Sequence, residues 1–349
     1  MQQRNQAIID AIITKAEREF PGALAMIGIY GSFLTGDIHE KSDLDLMILI
    51  NDPRGYGLAS CFIQEDWFVG HDLYCTTWET LEADAEYPHP HISKLMDSKI
   101  VYCAGPEYQA RLDALRQKAH AQLSEPLSLE KIRQHLALAD QAFTQAILAD
   151  SLAEVRLHCG GMIYHAQSVI AMMNRRYFRK GTRRVWEEIG AMEHVPHKIA
   201  ELEQALIRAE TMDSAKEAAR TFLKAIHVCF QELETGLKSP KAPVSPDNLR
   251  GTYEEMISNW RNKLYLAANT EDASLAFSSL AAMQNMLSEI EESVSIRHYN
   301  VMECYHPEDL LLTARECDRV LTAYLSEYEQ AGLTPLCYPN IDAFLKDYL

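Results

Sequence analysis

Apolar residues near the start of the chain first recur every three to four positions and then form short continuous runs. The periodic stretch, residues 3–19, predicts an amphipathic helix that ends at Pro21 and Gly22. Two apolar runs follow at residues 24–30 and 43–50, and each is short and bounded by turn residues. Such runs are typical of buried strands.

Further short elements alternate up to about residue 103. Residues 67–75 form a third candidate strand, residues 78–86 and 91–97 have the pattern of acidic helical segments, and residues 100–103 suggest a last short strand. This order predicts an α/β (α+β) module with a small mixed β-sheet.

The pattern becomes helical from about Ser128, a candidate N-cap that follows Pro126, and remains so to the end. One break stands out at residues 238–250, where three prolines predict a stiff extended linker that divides the helical part. We therefore predict three modules: an α/β module at residues 1–123, a helical domain at 124–240 and a second helical module at 241–349.

Composition places the chain among globular proteins, with 47% hydrophobic residues and no low-complexity stretch. The first 20 residues are too rich in charge for a signal peptide, and no apolar run approaches the roughly 18 residues of a membrane span. The eight cysteines contain no CxxC pair, which argues against a zinc module and a disulfide framework. We expect a cytoplasmic protein without a membrane partner.

The formal net charge of −17 at pH 7 narrows the choice of partner. Binding to long nucleic acid depends on Lys and Arg that neutralise phosphates, so such a partner is disfavoured. The charge fits a small cationic molecule better, and it also fits a role in solubility alone.

The chemically informative residues lie between and within the first two strands. Gly31 and Ser32 follow the first strand, Gly36 comes four residues after Ser32, and Ser42 precedes Asp43 and Asp45. Side chains two apart on a strand share a face, so the two carboxylates are expected to converge and to favour a hard divalent cation. The turn at Gly31 and Ser32 offers backbone N–H groups and a hydroxyl for phosphate oxygens.

This pattern, G-S-x-x-x-G followed by S-D-x-D-L, resembles the polymerase-β-like nucleotidyltransferase superfamily. With the helical region that follows, the chain looks like the antibiotic nucleotidyltransferases that act on kanamycin or lincosamides. The resemblance implies an enzyme in which an acceptor hydroxyl attacks the α-phosphorus of a nucleoside triphosphate (NTP) and pyrophosphate leaves. It also implies two Mg²⁺ ions on Asp43 and Asp45, with Ser32 and Ser42 holding phosphate oxygens.

The resemblance further leads us to expect a third metal carboxylate on a later strand. We choose Asp72, because it lies in the most strand-like part of the window. Glu65 and Asp66 flank a predicted turn, and Glu79 fits the first turn of a helix, where an acid is favoured for other reasons.

The segment 174–181 is basic in an otherwise acidic chain, and we expect Arg179 and Lys180 to contact the triphosphate. A basic helix C-terminus that meets the helix dipole is the alternative explanation. Candidates for a general base in the helical region are Glu154, His158 and His165.

Two other functions stay open. The acceptor could be a protein, as in toxin or antitoxin nucleotidylation, or the helical region could be an RNA-cleaving module of the HEPN type that uses Arg220 and His227. The expected partners are an NTP and a small-molecule acceptor, aminoglycoside- or lincosamide-like, with no long nucleic acid; a homodimer is an assembly that the sequence leaves open.

Overall fold

A computed structural model describes residues 2–39, 41–66, 68–237 and 240–349. The chain divides into two compact units, Met1–Leu237 and Lys238–Leu349. The boundary that we predict at residues 123 and 124 falls inside the first unit, in the last turn of the helix Pro106–Ser124. The division of the first unit into two modules therefore stays a prediction.

The first unit begins with alternating helices and strands. In chain order these are α1 (Gln2–Glu19), β1 (Leu24–Ile29), α2 (Ser32–Thr35), β2 (Leu46–Ile50), β3 (Ser60–Gln64), β4 (Val69–Leu73), β5 (Cys75–Thr77), α3 (Trp78–Ala85), α4 (Ser93–Asp97) and β6 (Lys99–Cys103). Among the described residues, β5, β2, β1 and β6 form one sheet in that order, and β3 pairs with β4 in a separate antiparallel ribbon. In the larger sheet β1 is antiparallel to β2 and β6, whereas β2 is parallel to β5, so the predicted small mixed sheet is confirmed.

The two central strands are buried along their whole length because both faces of the sheet are covered. On one face, Ile27 and Ile48 pack with Ile9 and Ile12 of α1. On the other face, alternate strand residues such as Met47 join a core that includes α3 and the helices after the sheet. Burying one such side chain stabilises the fold by roughly 1.5–3 kcal/mol, so β1 and β2 are the fixed frame on which the loops at their ends rest.

The structure corrects two strand predictions. The second strand begins at Leu46, so Asp43 and Asp45 precede it, although Leu44 between them is buried as the alternation requires. The third strand is broken: β4 and β5 are separate, and Trp67 lies outside the described residues. The sequence pattern missed β3, because its side chains are largely exposed and show no alternation.

Long helices complete the first unit, as predicted from Ser128 onward. They are α5 (Pro106–Ser124), α6 (Leu129–Leu148), α7 (Leu152–Met173), α8 (Val185–Ile189), α9 (Ile199–Ile207) and α10 (Met212–Leu237). The Ser128 side chain accepts a hydrogen bond from the Lys131 backbone N–H and so caps α6 as expected. A 3₁₀ turn, Thr182–Arg184, leads directly into α8.

The second unit consists mainly of helices in its described part. It contains α11 (Pro246–Leu249), α12 (Thr252–Met256), a π-helical turn (Ile257–Arg261), α13 (Asn262–Thr270), α14 (Ala273–Ser293), α15 (Leu310–Gln330) and α16 (Ile341–Tyr348). In the described part of the stiff extended linker predicted at residues 238–250, residues 240–245 contain no helix and Pro246–Leu249 form the short helix α11. Ala242 pairs with Val294 and Leu249 is fully buried, because prolines prevent a long helix but allow an extended segment to pack.

Within the described ranges, no helix combines the length and the apolar character that crossing a membrane requires.

Candidate functional site

The first element of the site is the turn that ends β1. Gly31 has φ +67°, a conformation that favours glycine, and a Cβ atom built there would lie 2.0 Å from Oδ2 of Asp45. The backbone N–H of Tyr30 donates to the Asp45 carbonyl at 3.1 Å, so the two loop segments are held side by side. Glycine at position 31 therefore lets the Asp45 carboxylate lie directly against the turn.

Asp43 and Asp45 are brought together at the start of β2. Burial raises the pKa of Asp45, repulsion by Asp43 raises it further, and a hydrogen bond from the Ser32 backbone N–H partly offsets both effects. The pKa of the Tyr30 hydroxyl is also raised, first by burial and then by its hydrogen bond to Tyr74. The site therefore concentrates negative charge in a partly desolvated place, which a cation would relieve.

The two carboxylates open into a cleft of about 430 Å³ that also contains basic side chains from the helical part. Five Lys and Arg residues line it, against three Asp residues. The basic ones are Lys41, Arg179, Lys180, Arg183 and Arg184, and the acidic ones are Asp37, Asp43 and Asp45. In a chain with a net charge of −17 this local surplus is an exception, and it suits a polyanionic ligand.

An ion-pair network joins the loop after β1 to the 3₁₀ turn before α8. Arg184 Nη1 lies 3.0 Å from Asp37 Oδ1, and its Nη2 lies 2.7 Å from Glu187 Oε2. Lys180 Nζ lies 2.8 Å from the same Glu187 atom. The hydrogen bond from Arg184, followed by that from Lys180, lowers the pKa of Glu187 to about 2. This network fixes one wall of the cleft against the other.

Arg179 is held by Asp97 at the end of α4. Its Nε lies 3.2 Å from Asp97 Oδ1, which also accepts a hydrogen bond from the Tyr177 hydroxyl at 3.0 Å. The backbone N–H groups of Arg179 and Lys180 both donate to the Glu188 carboxylate. The other Asp97 oxygen, Oδ2, is buried without a hydrogen-bond partner among the described residues. Asp97 is one of the residues that line a cavity of about 400 Å³, together with Gly31, Ser93 and Arg179.

The two serines of the motif differ in their surroundings. Both line the cleft. The Ser42 hydroxyl accepts a hydrogen bond from the His39 backbone N–H at 2.9 Å and closes a tight turn, which leaves its proton free to donate. The Ser32 side chain makes no hydrogen bond within the described part of the chain, so its hydroxyl is available to a ligand.

Asp72 is placed differently from Asp43 and Asp45. It lies on the exposed face of β4, opposite Cys61 in the ribbon, and it is not among the cleft-lining residues. Ile48 of β2 nevertheless pairs in parallel with Cys75 of β5. Asp45 lies three residues before Ile48, and Asp72 lies three residues before Cys75. The role of Asp72 as a metal ligand stays a prediction.

The donor chemistry of the cleft fits Mg²⁺. Within residues 2–39, 41–66, 68–237 and 240–349, no three His, Cys, Asp or Glu side chains are grouped to hold a metal ion. Mg²⁺ commonly takes only one or two protein carboxylates and fills its shell with water and substrate phosphates. The Asp43 and Asp45 pair, with its raised Asp45 pKa, is such a donor set.

Other sequence candidates lie elsewhere. Glu154 bonds to the Ser151 hydroxyl at the start of α7, and neither His158 nor His165 lines the cleft. Arg220 pairs with Glu217. His227 pairs with Asp140 at 2.6 Å. None of these helical residues is brought to the Asp43 and Asp45 pair.

Sequence reasoning missed the residues that build the cleft wall. Arg183 and Arg184 extend the basic segment by only a few positions, and that continuation was a usable signal. Asp37 directly follows Gly36 of the motif, yet nothing in the sequence links it to Arg184, 147 residues away. Asp97 and Glu188 gave no signal at all, because their roles depend on tertiary contacts.

The sequence matches a known family in this region. Residues 9–102 match the family model described as "Nucleotidyltransferase domain", a range that contains the glycine turn, both serines and Asp43, Asp45 and Asp72. No curated protein sequence is similar enough to count as a match.

Among solved structures, the chain is similar to a nucleotidyltransferase-like protein from Exiguobacterium sibiricum 255-15. The identity is 13%, the similarity covers 82% of this chain and 91% of that one, and the TM-score is 0.33. A similarity of this size supports no argument about the site. The family match carries the assignment: the N-terminal part of the chain is a nucleotidyltransferase domain, and by this domain the chain is classed as a nucleotidyltransferase.

Proposed function

We propose that the chain catalyses Mg²⁺-dependent transfer of a nucleoside monophosphate from an NTP to a hydroxyl of a small-molecule acceptor. The observation that carries the proposal is one cleft in which Asp43 and Asp45 face Arg179, Lys180 and their basic neighbours. Carboxylates alone would repel a triphosphate, and basic residues alone would bind one without a place for the metal ion.

In this proposal Asp43 and Asp45 hold the two Mg²⁺ ions implied by the resemblance, and the ions neutralise charge on the reacting phosphates. Ser32 and Ser42 donate their free hydroxyl protons to phosphate oxygens. Lys41 and Arg183, which have no side-chain partner within the described residues, bind the remaining phosphate charge.

The reaction joins the acceptor oxygen to the α-phosphorus and breaks the bond from that phosphorus to the oxygen that bridges it to the β-phosphorus. Pyrophosphate leaves with that bridging oxygen, and the acceptor hydroxyl loses its proton. Asp97 Oδ2 is a buried acceptor without a partner in the described chain, beside a cavity that reaches Gly31. We assign it the positioning of the acceptor hydroxyl, because a hydrogen bond there would satisfy an atom that is costly to leave unpaired.

The resemblance suggests aminoglycoside- or lincosamide-like acceptors, and these are the first compounds to test. No contact in the described structure favours RNA cleavage, since Arg220 and His227 are each paired with a carboxylate. Transfer to a protein would use the same cleft and differ only in what receives the label.

A pyrophosphate-release screen tests the proposal. The purified chain is incubated with Mg²⁺, each of four NTPs and a panel of aminoglycosides, lincosamides and amino sugars, with Asp43→Asn as the matched inactive variant. Acceptor-dependent pyrophosphate release by the wild type, absent from Asp43→Asn, supports the proposal. Release that is equal in both proteins contradicts it.

A further inference from the structure

A second cavity lies beside the cleft and is formed by a turn of the same basic segment. It measures about 800 Å³ and lies where α5, the end of α7 and the end of α8 meet. Arg175, Arg176 and Arg179 line it, and Arg179 also lines the catalytic cleft together with Lys180. The basic segment that the sequence shows as one feature therefore serves two cavities.

The backbone at Arg175 is in a conformation that arginine rarely adopts. Its φ is +52° at the C-terminus of α7, where the Arg175 N–H bonds to the Met172 carbonyl and the Arg176 N–H to the Ala171 carbonyl. This is the Schellman arrangement, in which glycine is strongly preferred at the position of Arg175. Glycine would therefore fit the backbone at position 175 better than arginine does.

Neighbouring groups hold this turn in place. The Asn174 side chain donates to the Ile170 and His194 carbonyls and accepts from the backbone N–H groups of Glu193 and His194. The Tyr87 hydroxyl donates to the Arg176 carbonyl at 2.6 Å. The Asn174 amide and the buried Tyr87 hydroxyl thus connect the walls of the cavity by hydrogen bonds. The backbone that carries Arg175 and Arg176 is held in place by these bonds.

The positive charges of the arginines in the cavity are not neutralised by the side chains that line it. The Arg176 guanidinium makes no hydrogen bond or ion pair with any described residue, and Arg175 makes only a 3.4 Å contact to the Glu125 carbonyl. The one carboxylate in the lining, Glu188, is already occupied by the backbone N–H groups of Arg179 and Lys180. Unpaired guanidinium groups in a preformed cavity are suited to a bidentate anion.

We propose that this cavity binds the anionic part of the acceptor, a small molecule that carries a phosphate or carboxylate group, in place of the cationic aminoglycoside that the resemblance suggests. The inference rests on the proposed function, since it takes the neighbouring cleft as the NTP site. Arg179 and Glu188 line both this cavity and the one that reaches Gly31, so a molecule in it can extend toward the reacting phosphate. Its volume is within the usual range for small-molecule sites.

The test uses four sugars of one scaffold: glucose 6-phosphate, glucuronate, glucose and glucosamine. Each is titrated calorimetrically into the full chain, with and without saturating Mg²⁺ and an α,β-methylene NTP analogue that cannot react. We expect at least one anionic sugar to bind about 10-fold more tightly than glucose, and the cationic sugar to bind no better than glucose. Comparison of glucose 6-phosphate with glucuronate shows whether the cavity prefers a phosphate or a carboxylate group.

The variants Arg176→Ala and Arg208→Ala form a matched pair. Arg208 is also an exposed arginine at a helix C-terminus without a side-chain partner in the described structure. Arg176→Ala should weaken the anionic sugar about 10-fold, since a charged hydrogen bond is lost, while Arg208→Ala leaves it unchanged. Equal binding of glucose and both anionic sugars, or an unaffected Arg176→Ala, would overturn the proposal.

The nucleotide analogue separates this inference from the proposed function. An acceptor site must stay available in the ternary complex, so the analogue should leave the affinity for the anionic sugar unchanged. Displacement of the sugar by the analogue would show that the cavity belongs to the triphosphate site and would overturn the inference. An analogue that fails to bind wild type in Mg²⁺ contradicts the proposed function instead, and the sugar titration without nucleotide still tests the cavity.

Discussion

The Asp45 carboxylate lies against Gly31 so closely that the two positions constrain each other. Oδ2 of Asp45 is 2.0 Å from the place where any other residue at position 31 would carry its Cβ atom. Gly31 of the turn therefore also decides where the Asp45 carboxylate, the proposed metal ligand, is located. Changes at position 31 should affect the metal site as well as the turn.

Gly31→Ala should abolish nucleotidyl transfer, because the new methyl group displaces the Asp45 carboxylate. Gly36→Ala is the matched control, since Gly36 has φ +78° but nothing within 4 Å of a built Cβ atom. In both variants, alanine in the positive-φ conformation lowers the free energy of unfolding by about 1 kcal/mol. For a unit of this size, that corresponds to a loss of about 2–4 °C in melting temperature. The measurement is Mg²⁺–NTP affinity alongside melting temperature; equal losses of affinity in the two variants would show that the contact with Asp45 is irrelevant.

Asp45→Asn should stabilise the metal-free protein while it removes Mg²⁺–NTP binding. The pKa of Asp45 is raised in the fold, so the native state keeps its proton at a higher pH than the unfolded chain does. The resulting stability is present at low pH and is lost as pH rises through the folded pKa, which leaves an unfavourable charge at pH 7.

Asp45→Asn should raise the melting temperature at pH 7, and the gain should shrink as the pH is lowered toward the ordinary pKa of an aspartate. Thermal unfolding in EDTA at several pH values measures it. A melting temperature below wild type at pH 7 would mean that the carboxylate is stabilised by contacts other than a metal ion.

Asp72→Ala tests the third ligand that the resemblance implies. If Asp72 joins the site when the metal ions and the acceptor are bound, turnover should fall by orders of magnitude with nearly unchanged Mg²⁺–NTP affinity. Asp66→Ala, in the turn between β3 and β4, is the control and should behave like wild type. Full turnover in Asp72→Ala would leave Asp43 and Asp45 as the only protein carboxylates on the metal ions.

Arg175→Gly should raise stability and lower anion affinity together. Glycine is preferred at the φ of +52° that Arg175 adopts, so the substitution should stabilise the first unit by about 1 kcal/mol, or about 2–4 °C. It also removes one of the three guanidinium groups that line the 800 Å³ cavity. Thermal unfolding and glucose 6-phosphate or glucuronate titration measure the two effects; a stabilised variant with intact affinity for both sugars would assign Arg175 no binding role.

The sequence allowed the mixed sheet and the helical region to be predicted, because buried strands such as β1 and β2 carry continuous apolar runs. It missed β3, whose side chains are exposed, and it placed the start of β2 three residues early, because leucines alternate with Asp43 and Asp45 before the strand begins. The motif located the glycine turn and the two carboxylates. The contact between Asp37 and Arg184 joins segments 147 residues apart, which no local pattern records.

The most direct test of the account is the melting temperature of the wild type and of Asp43→Asn with the α,β-methylene NTP analogue, Mg²⁺, both or neither. A ligand at about 100 times its Kd stabilises the native state by roughly 2.7 kcal/mol, so the wild type should gain on the order of 5–10 °C with both ligands and little with either alone. Asp43→Asn should gain little in any condition. An equal gain in EDTA, or in Asp43→Asn, would contradict the assignment of Asp43 and Asp45 to a metal–nucleotide site.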